Sequence, residues 1–98
     1  MAAYTYEAIT VADTAIGLTV AEITKSETLY GRPVKKVVCT LETGPIRFTV
    51  DGTTPTSTVG HLANIGDTIV LQNEDEARKF LAIRTTSTSG ALKCTFEM

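Results

Sequence analysis

His61 is the one histidine of the chain, so any imidazole chemistry must rest on it. Ser57, His61 and Asp67 have the residue types of a nucleophile, a base and an orienting acid. All three fall in one loop-like stretch. A working triad is built from elements that the fold brings together, with an oxyanion hole beside a strained nucleophile, and no G-x-S-x-G is present. His61 therefore reads as a surface or loop histidine. Asn73, Glu74, Asp75 and Glu76 bring four oxygen-bearing side chains together. A calcium loop spaces its ligands at alternate positions around a glycine bend, and this run is contiguous and glycine-free. A solvated acidic turn is the better reading, with Asn73 placed to cap a single helical turn. Neither glycine-rich phosphate motif, G-x-x-x-x-G-K-[ST] or G-x-G-x-x-G, occurs.

Cys39 and Cys94 each sit in a strand-like run. Two cysteines make neither a zinc site nor a disulfide framework. They read as buried free thiols that pack as small hydrophobes, with pairing open if their strands are neighbours. These residues imply no cofactor and no metal.

The remaining composition describes a scaffold. At 98 residues the chain is expected to form one domain, 1–98, with a core large enough to fold without metal or disulfides. A net charge of −2 and the absence of any Lys/Arg run beyond Lys35-Lys36 argue against a nucleic-acid surface. No apolar run approaches the length of a membrane span, and the N-terminus lacks the pattern of a secretory leader. The expected product is soluble and cytoplasmically made. Threonine is the commonest side chain, and its branched Cβ suits extended backbone.

Apolar/polar alternation predicts about seven strands. They are Tyr4–Val11, Ile16–Val20, Val34–Glu42, Ile46–Val50, Thr68–Gln72, Lys79–Thr85 and Leu92–Phe96. A helix from Val20 to Leu29 is disfavoured by its β-branched residues, and Lys25 to Pro33 reads as a loop. Thr43-Gly44-Pro45 suits a hairpin connection. Ile46, Phe48 and Val50 are expected inward, with Arg47, Thr49 and Asp51 outward. Gly52 to Gly66 is a long stretch without strand character, of the kind that binds or assembles. Turns every eight to twelve residues point to an all-β fold, a small antiparallel β-sandwich that is jelly-roll-like or Ig-like in outline.

Two resemblances bear on function. Asp51-Gly52-Thr53-Thr54-Pro55-Thr56 resembles the T-D-G-S-x-P-T turn of small β-sandwich modules appended to carbohydrate-active enzymes. The chain offers few aromatics for stacking on sugars, with three Tyr, three Phe and no Trp. More of the chain carries the second. Pro45 to Thr56, then Gly66-Asp67-Thr68-Ile69, Phe80-Leu81-Ala82-Ile83-Arg84 and Leu92-Lys93-Cys94-Thr95-Phe96, follow in an order that resembles small all-β virion structural proteins of tailed bacteriophages. These are capsid decoration (cement) or head-and-neck accessory proteins. The resemblance implies a non-enzymatic protein of the virion, assembled in the host cytoplasm. It would bind a phage coat or neck protein and form a homo-oligomer, with no nucleic acid or membrane as partner. Candidate interface residues are Tyr4 and Tyr6 on an N-terminal arm with Ile9 and Val11, Tyr30 and Arg32 beside a turn, Thr54 and Pro55, and His61. The loop 52–66 and the acidic turn Asn73–Arg78 are expected to meet a partner, and the strand Lys79–Thr85, apolar on both faces, to be either interior or covered by one. A carbohydrate- or surface-binding module is the alternative.

Overall fold

Among the described residues seven strands form the two antiparallel sheets of a sandwich, six of them where the alternation places a strand. The computed structural model describes residues 3–98. The elements are β1 (Ala3–Val11), α1 (Val20–Tyr30), β2 (Lys36–Glu42), β3 (Ile46–Thr49), β4 (His61–Ala63), β5 (Thr68–Leu71), α2 (Glu74–Lys79), β6 (Leu81–Arg84) and β7 (Gly90–Glu97). The first sheet has the order β1-β7-β2-β5 and the second β4-β3-β6. The result is a small β-sandwich. Ile9, Val11, Val37, Cys39, Leu41, Ile69, Leu71, Leu92, Cys94 and Phe96 line the inner face of the larger sheet at two-residue spacing. Ile46, Ala63, Phe80 and Ala82 meet them from the other side.

Several predicted segments are corrected. Ile16 to Val20 is not a strand. Ile16 makes one bridge, exchanging 2.9 Å bonds with Ala82, and a helix follows. That helix, α1, also replaces most of the expected loop from Lys25. Its β-branched residues lower its intrinsic propensity, but tertiary contacts override it. The Tyr4 hydroxyl donates to the Ile23 carbonyl at 2.9 Å, and the Thr5 hydroxyl donates to Glu22. The Glu7 carboxylate takes both the N–H and the hydroxyl of Thr19 at the helix start. Gly31, left-handed at φ 68°, closes the helix, with its N–H on Glu27 and that of Arg32 on Ser26. The bonds from Thr5 and then Lys25 hold the Glu22 carboxyl below the usual carboxylate range.

The Thr43–Pro45 connection is not a hairpin, because β2 and β3 lie in different sheets. Inside the supposed loop 52–66 lies β4, paired to β3. Thr49 is buried instead of outward, because its hydroxyl reaches the Thr53 carbonyl as the chain turns back. Lys79 ends α2 instead of starting a strand, and β6 begins at Leu81. Asn73 does cap α2, accepting from the Glu76 N–H at 2.9 Å.

Both faces of β6 are apolar for an internal reason. The segment Ala12–Ile16 lies along its free edge, with the Arg84 N–H on Ala12 and the Ile16–Ala82 bridge. Leu81 packs against Gly17. At that edge the cover is the chain's own. β1 is likewise no free arm, since it pairs with β7 along its length and buries Ile9 and Val11.

Cys39 and Cys94 are direct cross-strand partners, both fully buried and free. The Cys39 contact first, then burial, pushes the Cys94 thiol far above its ordinary range. Such a thiol is not a nucleophile. A charged thiol reagent should leave both cysteines unlabelled in the native protein and modify both in denaturant. Labelling of the folded chain within minutes would contradict their burial.

Candidate functional site: an open seam between two sheet edges

One side of the sandwich is closed by the Ala12–Ile16 segment, which carries the chain from β1 across to β6. On the opposite side the edge strands β4 and β5 border one cleft, with no strand among the described residues between them. The turn that joins them explains the gap. The Asp67 N–H donates to the Asn64 carbonyl at 2.9 Å, enclosing Ile65 and Gly66. Gly66 has φ 92° while Ile65 keeps a negative φ, the pattern of a type II turn. That turn twists against the natural twist of a hairpin and splays its strands. Gly66 and Asp67 together oppose Leu41, with the Gly66 N–H on the Leu41 carbonyl and the Leu41 N–H on the Asp67 carbonyl. This is a glycine bulge that sends β5 into the larger sheet. β4 meanwhile joins the smaller one.

The diverging strands leave a cleft of about 550 Å³. Phe48, Val50, Ala63, Ile69 and Leu71 give it apolar walls, and His61, Asp67 and Glu76 contribute polar groups. A second hollow of about 410 Å³ adjoins it, sharing Val50 and His61. Leu62 and Val70 line the cleft and are exposed at 51% and 40%, and Val59 and Ile65, near β4 in sequence, are exposed as well. Large apolar residues this open are ordinary singly, but Leu62 and Val70 together on one apolar groove are the kind of feature that marks an interaction surface.

The backbone of the seam is also unpaired. Because Leu41 bonds Asp67, the two-residue period turns the polar groups of Ile69 and Leu71 toward β2. Those of Thr68 and Val70 point into the seam. On the other wall, the Thr85 N–H on the Pro45 carbonyl sets the phase of β3. Ile46 and Phe48 then bond Ala63 and His61, and Leu62 points its N–H and carbonyl outward. Two carboxylates close the ends of these edges. Asp67 accepts the Asn64 N–H at 2.7 Å, and Glu76 accepts the Gln72 N–H at 2.8 Å. Such blocking limits edge-to-edge association, and it leaves Leu62, Thr68 and Val70 available.

Arg47 positions the β4 wall. Its guanidinium donates to the Ser57 carbonyl at 3.0 Å and the Gly60 carbonyl at 2.9 Å, fastening the loop that enters β4. Arg47→Ala should cost about 1 kcal/mol, the usual net worth of such hydrogen bonds. Amide exchange should quicken at His61–Ala63 and not at β7. Unchanged exchange at β4 would show that the loop holds itself.

The seven candidate interface residues are dispersed. Tyr4 is half-buried, its ring 6.2 Å from that of Phe96 and its hydroxyl on α1, so it fastens the helix. Tyr6 is exposed on the outer face of the larger sheet. Tyr30 and Arg32 are exposed at the end of α1, beside exposed Leu29. Thr54 is exposed but Pro55 is fully buried. The Asp51 turn is closed on itself, since Asp51 accepts the Thr53 N–H at 3.0 Å, the bond that lowers its carboxyl's pKa. His61 alone of the seven reaches the seam, its ring 5.6 Å from that of Phe48. Leu62, Ile65 and Val70 were not singled out by sequence. Val70 occupies the outward phase of its strand, and Leu62 and Ile65 fall in the stretch 52–66 that is expected to bind.

His61 and Asp67 line the same cleft, and Ser57 lines neither hollow. The Ser57 carbonyl is held by Arg47 and the Asp67 carboxylate by Asn64. No group of three or more His, Cys, Asp or Glu residues among those described is placed to hold a metal. Glu27 and Glu74 meet where α1 packs on α2. Hydrogen bonding to Glu74 raises the Glu27 carboxyl, and Arg78, then Glu27, lower that of Glu74. The pair lines neither hollow. No helix among the described residues is long and apolar enough to cross a membrane. No protein-family model, curated protein or solved structure matches the chain.

Proposed function

We propose that this chain is a non-enzymatic assembly protein that works by docking on another polypeptide. One observation carries the reading, the open seam between β4 and β5, lined by exposed Leu62 and Val70. Apolar side chains and unpaired strand edges in one place match the way proteins recognise extended polypeptide. The resemblance of the stretch from Pro45 onward supplies the setting. In that setting the chain is a virion accessory of a tailed bacteriophage, of the decoration or head-and-neck type, with a coat or neck protein as partner. Oligomerisation belongs to the same reading. The carbohydrate-module alternative gains no support, because the side chains of the Asp51 turn bond within their own loop.

The test is biochemical. Antibody against the chain should detect it in purified virions of the phage that encodes it, at a fixed ratio to the coat protein. Its absence from intact particles would overturn the virion setting. Glycan binding lost on Asp51→Ala would favour the module instead.

A further inference from the structure

We infer that the seam receives an extended, basic segment of the partner polypeptide, laid along β5 as an added strand. The inference rests on the assembly reading above and names the occupant of that site. The seam offers outward N–H and carbonyl groups at Thr68 and Val70 on one wall and at Leu62 on the other. An added strand satisfies such groups by main-chain bonding, and its alternate side chains fill the groove beneath. The groove floor, Phe48, Ala63, Ile69 and Leu71, selects apolar residues at those alternate positions.

Charge selects the rest. The lining contains two carboxylates, Asp67 and Glu76, and no Lys or Arg. Each carboxylate accepts one backbone N–H at the groove rim. A strand with Lys or Arg at its outward positions is therefore favoured, and an acidic strand is repelled. A second copy of this chain is the poorer occupant. Pairing β5 with β5 would gather four carboxylates at one edge.

The probes are two blocked peptides, acetyl-Lys-Val-Thr-Val-Lys-Val-amide and the same peptide with Glu replacing Lys. Each is titrated into the isotope-labelled full chain and followed by amide chemical shifts. The lysine peptide should move the signals of Leu62, Thr68 and Val70 and bind about tenfold more tightly than the glutamate peptide, with the preference shrinking in high salt. The pair Asp67→Asn with Glu76→Gln keeps an acceptor oxygen at each position and should remove the preference. Val70→Pro deletes an outward N–H on an edge strand, where proline is tolerated, and should abolish the shifts while the melting curve shows a folded protein. Equal binding of the two peptides, or no binding of either, overturns the inference. So does self-association that produces the same shifts without peptide. If the shifts fall at Leu29 and Tyr30 instead, the seam inference fails and the assembly reading stands on another surface.

Discussion

Phe80→Ala is expected to be the most damaging single change, lowering stability by about 3–5 kcal/mol. Phe80 is fully buried at the junction of α2 and β6. Its ring stands 5.8 Å from that of Phe48, so it fills the space between the smaller sheet and the helix that follows β5. Its carbonyl also lies against Gly17. Truncation would leave a cavity bounded by both sheets, and rigid neighbours collapse into such a space only in part. A domain of this size is stable by about 5–15 kcal/mol, so the loss is a large share of the whole. Urea unfolding should show the midpoint moving far down, and the melting temperature should fall by roughly 15–30 °C. Tyr6→Ala, on the exposed outer face, should change stability by less than about 0.5 kcal/mol. A Phe80→Ala protein within about 1 kcal/mol of the parent would show that the two sheets do not close on this ring.

Gly44→Ala is the second, expected to cost about 1–3 kcal/mol through overpacking. Gly44 lies where the chain leaves the larger sheet for the smaller. A Cβ there would stand 2.6 Å from the Thr88 carbonyl oxygen and 3.1 Å from that of Ser89. Both obstacles are backbone, so no side chain can swing aside. Thr43, just before it, already holds φ 71°, with its hydroxyl on the Ser89 carbonyl at 2.8 Å. The crossing therefore has little freedom to adjust. Equilibrium unfolding should report the loss with an unchanged m-value, since the surface exposed on unfolding is the same. Stability equal to that of the parent would mean that the 86–89 loop yields without cost.

The sandwich was legible because its strands alternate. Val37, Cys39 and Leu41 in β2, and Leu92, Cys94 and Phe96 in β7, are inward as the period requires. The helix α1 was not legible from propensity, because the contacts that hold it come from Tyr4, Thr5 and Glu7, twelve or more positions away. Its one local signal was Gly31, which served equally well as a turn residue. β4 was missed for its length. Three residues, His61–Ala63, carry no period, and only pairing with β3 makes them a strand. The seam lay beyond reach for a related reason. It exists because strands adjacent in sequence join different sheets, and sequence alternation records which face is buried, not which sheet a strand enters. The turn residues Asn64–Asp67 did mark the place, through Gly66 and its requirement for positive φ.

Photo-crosslinking tests the central claim most directly. A benzophenone amino acid replaces Leu62 at the mouth of the seam, or Thr10 on the outer face of the larger sheet, and virions are assembled with each variant. The seam account predicts a crosslink from position 62 to the coat or neck protein, mapped to an extended basic segment, and none from position 10. Crosslinks from position 10 alone, in particles that contain both variants equally, would contradict it.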